Sequence, residues 1–280
     1  MNKLKQIFKK LTAYDHFLVF LIILTAMKIA NVFIVNGTTE SIHFAKLGVG
    51  LLVITSVLHL VFTKVFDKNK KYLHSLISAF LIIVMLSHAD PEPIRGVLVI
   101  LLLFVAKFFV KYKGKNIFNP VVFTIAMVTF ISYFVPFFGV PPLDFTGIDI
   151  RFPINGMQVP LTLLPISLAL IFNVKRLKKH PLAISFIIAS LLLGFFLNAY
   201  ESNPFSYIII TMFIGSAVIV EPKTSPHKPF EQVIYGLLMA VFIFLFSFLN
   251  IPNSIIIALF LANIAYFVLK EKTIIRRGVS

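Results

Sequence analysis

Positive charge along this chain falls between apolar segments, and only in every second gap. Ten apolar segments stand out, at about 16–35, 45–63, 73–88, 94–110, 118–136, 158–174, 181–198, 204–220, 232–249 and 253–269. Clusters of Asn, Asp, Pro and Lys part them, the residues that ordinarily interrupt regular structure. Lys3, Lys5, Lys9 and Lys10 precede the first segment, Lys64, Lys68, Lys70 and Lys71 follow the second, and Lys107, Lys111, Lys113 and Lys115 follow the fourth. Lys175, Arg176, Lys178 and Lys179 follow the sixth, Lys223 and Lys228 the eighth, and Lys270, Lys272, Arg276 and Arg277 the tenth. These are 22 of the 26 basic residues; the alternate gaps hold only Lys46, Arg95 and Arg151, and Lys28 lies inside the first segment. Lys and Arg beside a membrane span resist translocation and stay on the cytoplasmic side. The alternation predicts an all-α polytopic membrane protein of about ten transmembrane helices with both termini in the cytoplasm.

Composition excludes the alternatives. The chain is 59% apolar and 13% charged, with a mean hydropathy of +0.95. A soluble domain is about 45–50% apolar and about 25% charged. A water-soluble enzyme, a nucleic-acid-binding domain and a disordered tail are therefore set aside. At about 20 residues per span plus a loop, 280 residues form one membrane domain, 1–280, with no room for a separate soluble one. The formal charge of +15 follows from cytoplasmic loops that face an anionic leaflet, with no need for nucleic acid. Cysteine is absent, which excludes disulfides, thiolate-held clusters and catalytic thiols within the chain. The basic N-terminus followed by a long apolar stretch reads as a retained first helix, because no small-residue cleavage site precedes Asn36.

Five is odd, so two halves of five spans would have opposite orientation, as in inverted-repeat membrane proteins. Sliding the chain on itself by 131 residues lays Asp90-Pro91 on Glu221-Pro222 and Asn119 on Asn250. The expected halves are 16–136 and 158–269.

Three features could hold chemistry. The stretch Gly114 to Pro120, GKNIFNP, enters the fifth segment. Asn119 can cap a helix whose first turn is set by Pro120; alternatively, the helix N-terminus with Lys115 beside it offers N–H donors to an anionic or carbonyl-bearing ligand. The stretch Glu221 to Gly236, EPKTSPHKPFEQVIYG, is a Pro-rich polar loop at the end of the eighth segment. Thr224 and Ser225 could bond a ligand there, or the stretch is a plain cytoplasmic loop with Glu221 neutralised by Lys223. The third feature is a pair of ionisable residues at span depth. Lys28 either snorkels outward or serves a function; His59 reads as a neutral histidine hydrogen-bonded near a helix end. Metal-ligand spacings and the common nucleotide and hydrolase motifs are missing, so no metal site and no catalytic residue is assigned.

Taken in order, these segments resemble one family. GKNIFNPVVF resembles the "NPA" segment in the D subunit of Rnf electron-transport complexes and the B subunit of the Na⁺-translocating NADH:quinone reductase. VIVEPKTSPHKPFEQVIYGLLMAV resembles that family's "FMxTDPxTSP……IYGxLxG" stretch, and LNIPNSIIIALFLANI resembles its "P…ALLxANLF" end. Asn119 and Pro120 match the first motif. Glu221, Pro222, Thr224, Ser225 and Pro226 match the second, with Glu in place of the usual Asp, and Asn263 matches the third.

The resemblance implies a ten-helix inverted-repeat subunit of the bacterial cytoplasmic membrane that binds flavin and passes electrons across or within the bilayer. It implies an oxidoreductase component rather than a self-sufficient enzyme. Its partners would be a separate cytoplasmic reductase or other redox subunits, with a quinone as a candidate acceptor. Asn119, Pro120, Lys115, Glu221, Thr224 and Ser225 are the expected cofactor-binding residues. Full-length relatives attach FMN covalently to the last Thr of an S-G-A-T-type segment before the sixth span. Here that loop reads PPLDFTGIDIRFPINGMQVP, and its Thr146 lacks that setting. Noncovalent FMN or riboflavin is the expectation. The rival readings are a secondary transporter or channel for a small solute or ion, and an anchor that assembles a redox complex without a cofactor of its own.

Overall fold

The computed structural model describes residues 12–66, 71–86, 93–112, 115–134, 148, 150–154, 157–196, 204–221, 224–251 and 253–278. Within them lie ten α-helices: α1 Ala13–Asn36, α2 Thr38–Val65, α3 Tyr72–Met85, α4 Pro93–Phe108, α5 Pro120–Phe134, α6 Leu163–Leu177, α7 His180–Phe196, α8 Pro204–Phe213, α9 Pro229–Phe248 and α10 Ser254–Gly278. A π-helical turn, Ile214–Val218, continues α8. Two short hairpins complete the set. Strand β1 Lys111–Tyr112 pairs with β2 Lys115–Asn116, and β3 Phe152–Ile154 pairs with β4 Met157–Val159.

Among the described residues, three helices are long and apolar enough to cross a membrane: α1, α2 and α9, of 24, 28 and 20 residues. Others are apolar but short. With 14 residues, α3 reaches only about 21 Å at 1.5 Å per residue, less than a hydrocarbon core of about 30 Å.

Local chemistry explains several boundaries. Thr12 and Asp15 form a reciprocal capping box at the start of α1. Between α1 and α2 stands a single residue, Gly37, at φ 90°, a conformation that suits glycine. The loop expected at 36–45 is therefore absent. Lys46, read as a gap residue, lies within α2. Lys107 likewise sits in the last turn of α4 rather than after it, and is buried. The sixth segment, expected from 158, starts as a helix only at Leu163, because Met157–Val159 pairs in β4.

The same order of neighbours occurs twice. Helix α1 packs on α2 and α3, α2 on α3 and α4, and α4 on α5. Helix α6 packs on α7 and α8, α7 on α8 and α9, and α9 on α10. Helix α1 also packs on α6, and α5 on α10. One apolar core runs through both sets, including Leu24, Ile82, Leu103, Ile125, Phe186, Phe213 and Met239. The outward faces are apolar too: Leu60, Leu164, Phe196 and Phe230 are all at least two-thirds exposed. Exposed apolar area of that extent needs a partner phase, either protein or lipid.

Tyrosines near the starts of α3 and α8 make similar contacts. Tyr72 Oη lies 2.5 Å from Ser56 Oγ of α2, and Tyr207 Oη donates to Ser190 O of α7 at 2.7 Å. His59 packs on the Tyr72 ring at 5.2 Å between centroids, whereas Gly194 leaves its space to the Tyr207 ring. Tyr72 and Tyr207 are 135 residues apart, as are His59 and Gly194.

Candidate functional site

Asn119 is buried just before α5, and its side chain does two jobs. Its Oδ1 accepts from Val121 N at 2.9 Å and Val122 N at 3.4 Å, the N-cap pattern. Its Nδ2 donates to Val218 O at 3.2 Å, joining residues 99 apart in sequence. Pro120 has no N–H to satisfy, and Phe123 N donates to Asn119 O at 2.9 Å. Every amide in the first turn of α5 is thus engaged within the protein. The N–H donors that the sequence offered to a ligand are taken by the cap.

Val218 ends the π turn, and Glu221 follows three residues later, so the two motif stretches meet at one place. Glu221 O accepts from Ser225 Oγ at 2.6 Å and from Ser225 N at 3.2 Å, and its Oε2 accepts from Thr224 Oγ1 at 3.2 Å. Both motif hydroxyls close a turn upon Glu221. Ser225 is buried, while Thr224 and Glu221 are half-buried. Lys115 lies in β2, with its side chain outside the described residues. Pro222, Lys223, Asp90, Pro91 and Thr146 also lie outside them.

Two residues that the sequence did not single out hold this loop. Lys179, only 1% exposed, donates through Nζ to Ser225 O at 3.3 Å and to Pro226 O. It reads in sequence as one of a run of solvated cytoplasmic charges, and no local signal distinguishes it. Gln232 Nε2 donates to Lys178 O at 3.2 Å and His227 O at 3.1 Å. Gln232 Oε1 is a buried acceptor with no partner among the described residues. Deeper between α9 and α10, Tyr235 Oη donates to Asn263 Oδ1 at 2.5 Å, and Tyr266 Oη donates to Glu231 Oε2 at 3.3 Å. Asn263, the residue of the third motif, thus serves as an acceptor between two helices.

Lys28 and His59 stand apart from this place. Lys28 is 2% exposed and does not snorkel. Its Nζ donates to Val84 O at 2.9 Å, Ile83 O at 3.4 Å and Leu86 O, all at the end of α3. His59 is buried, and its Nδ1 lies 3.0 Å from Ser75 Oγ. Among the described residues, no three His, Cys, Asp or Glu side chains gather as a metal site would need.

No protein-family model matches the chain, and no curated protein matches it.

Proposed function

We propose that the chain is a multi-pass membrane subunit of a flavin-dependent electron-transport system of the Rnf or Na⁺-translocating NADH:quinone reductase kind. Its ten spans would form two inverted halves of five, with both termini cytoplasmic. The observation that carries the reading is the bond from Asn119 to Val218, which draws the GKNIFNP and EPKTSP stretches together. The doubled neighbour order and the α1–α6 and α5–α10 contacts favour the repeat, since in an inverted repeat these equivalent helices would meet across a pseudo-two-fold axis.

Asn119, Pro120, Lys115, Glu221, Thr224 and Ser225 are the residues that would hold a noncovalent FMN or riboflavin. Asn119 would position the two stretches rather than touch the flavin with its amide. A flavin exchanges one or two electrons; the protein supplies binding, orientation and tuning of its potential. With no nicotinamide-binding motif in the sequence, a cytoplasmic reductase would deliver the electrons, docking on the basic loops, and a quinone or another redox subunit would receive them. Absorption of the purified protein tests this. A band near ~450 nm that leaves with small-molecule flavin on denaturation is expected; a colourless, folded protein rejects it.

The second reading, a transporter or channel, is favoured by the 14-residue α3, which would stop short of the far side of a bilayer. Solute or ion flux in vesicles by a protein without flavin would establish it.

A further inference from the structure

The end of α3 has an unusual occupant. A helix C-terminus leaves its last carbonyls without intrahelical partners and bears about half a negative charge. Water, a capping glycine or a side-chain donor of the helix's own last turn usually meets such an end. At the end of the π turn that donor is the Asn119 amide. At the end of α3 it is a full charge. Lys28 reaches across from α1, and its ammonium is met by the carbonyl oxygens of Ile83, Val84 and Leu86. The Phe44 ring covers another side, with its centroid 4.9 Å from Nζ. Phe44 is itself buried, and Val84 and Leu86 are buried as well.

Backbone carbonyls in place of a hydration shell, closed by an aromatic face, make the environment in which proteins hold a monovalent cation. An alkylammonium head and a potassium ion are nearly equal in size. We propose that the end of α3 is a monovalent-cation site of ammonium or potassium size, and that Lys28 is its tethered, permanent occupant. An alkali cation cannot use this site while the side chain is present, so this half of the protein is closed to cations at that point. The inference does not rest on flavin binding, and its failure leaves that reading untouched.

The test is chemical rescue. Lys28→Ala vacates the site, whereas Lys28→Met removes the charge but keeps the space filled. Thermal unfolding of both, and of the wild type, is followed in choline chloride, potassium chloride and ethylammonium chloride at equal ionic strength. In choline both variants should unfold below the wild type. Lys28→Ala should gain ~3 °C or more in potassium or ethylammonium, as a ligand of the native state raises the midpoint, while Lys28→Met and the wild type should not respond. A folded Lys28→Ala protein indifferent to both cations overturns the proposal, as does an equal response from Lys28→Met. Should Lys28→Ala not accumulate, Lys28→Gln takes its place. Its amide can donate to the same carbonyls without charge, so a lowered midpoint that rises in potassium supports the site. A wild-type midpoint in choline, or a lowered one with no response to potassium, overturns it.

Discussion

A single methyl group added at Gly236 probes the contact between α7 and α9. A Cβ there would lie 2.2 Å from Ser185 Oγ, 2.8 Å from Leu182 O and 3.0 Å from Phe186 N. The serine hydroxyl can rotate away. The other two atoms are backbone of α7 and cannot move alone. Non-bonded carbon contacts are best at about 3.5–4.0 Å, so α9 must retreat by roughly 0.7 Å. Overpacking of this kind costs about 1–3 kcal/mol. Alanine returns up to ~1 kcal/mol through its better helix propensity. The net expectation for Gly236→Ala is a loss of ~1–2 kcal/mol, or about 3–6 °C in Tm for a chain of this size. Gly50→Ala is the control, because a Cβ there meets nothing within 4 Å and should only gain from propensity. Ser185→Ala combined with Gly236→Ala should recover less than half of the loss, since the backbone contacts persist. Circular dichroism in detergent suits a chain that lacks both Trp and Cys. A Gly236→Ala protein as stable as the wild type, or more stable, would refute the close approach of the two helices.

Other outcomes follow from the same contacts. Asn119→Leu strips α5 of its cap, worth ~1 kcal/mol, and leaves Val218 O unpaired, worth about 1–3 kcal/mol more. Thermal unfolding measures the loss; if the proposed electron transfer is present, its falling further than the yield of folded protein would add a role at the proposed cofactor site. Single cysteines placed in 137–157 should react with impermeant reagent from outside, and those in 107–117 and 175–180 only from the cytoplasm; the reverse pattern would overturn the charge-based topology. No covalent FMN is expected even when a matching flavin transferase is co-expressed. An intact mass raised by one FMN residue after denaturation, mapped to Thr146 or Thr38, would overturn that expectation.

Some of this was legible in the residues and some was not. Helices were readable because apolar length and helix breakers act locally, and Asn119-Pro120 announced a cap because capping is settled within three residues. The hidden half of Asn119 is its amide on Val218, a contact that depends on where a helix 99 residues away comes to rest. Lys28 carries an equally long-range secret, since its partners lie 55 to 58 residues off and nothing beside it in sequence names them. Lys179 misleads outright: it stands in a basic run yet is buried against the loop it fastens. Gly236 looked like part of a ligand motif, while the structure gives it a steric reason of its own. Charge alternation placed Lys46 and Lys107 in gaps because it weighs sides, not ends, and helices run past the surfaces that charges mark.

The lone Gly37 between α1 and α2 bears on how the protein is made. With no intervening loop, two long apolar helices of 24 and 28 residues are bound to one another at their tips from the moment both have been synthesised. If both cross a bilayer, neither could settle there without drawing in the other, and the pair would enter as a hairpin. Its tip would then be a poor place for an epitope tag or a protease site, and among the described residues the shortest connection between helices.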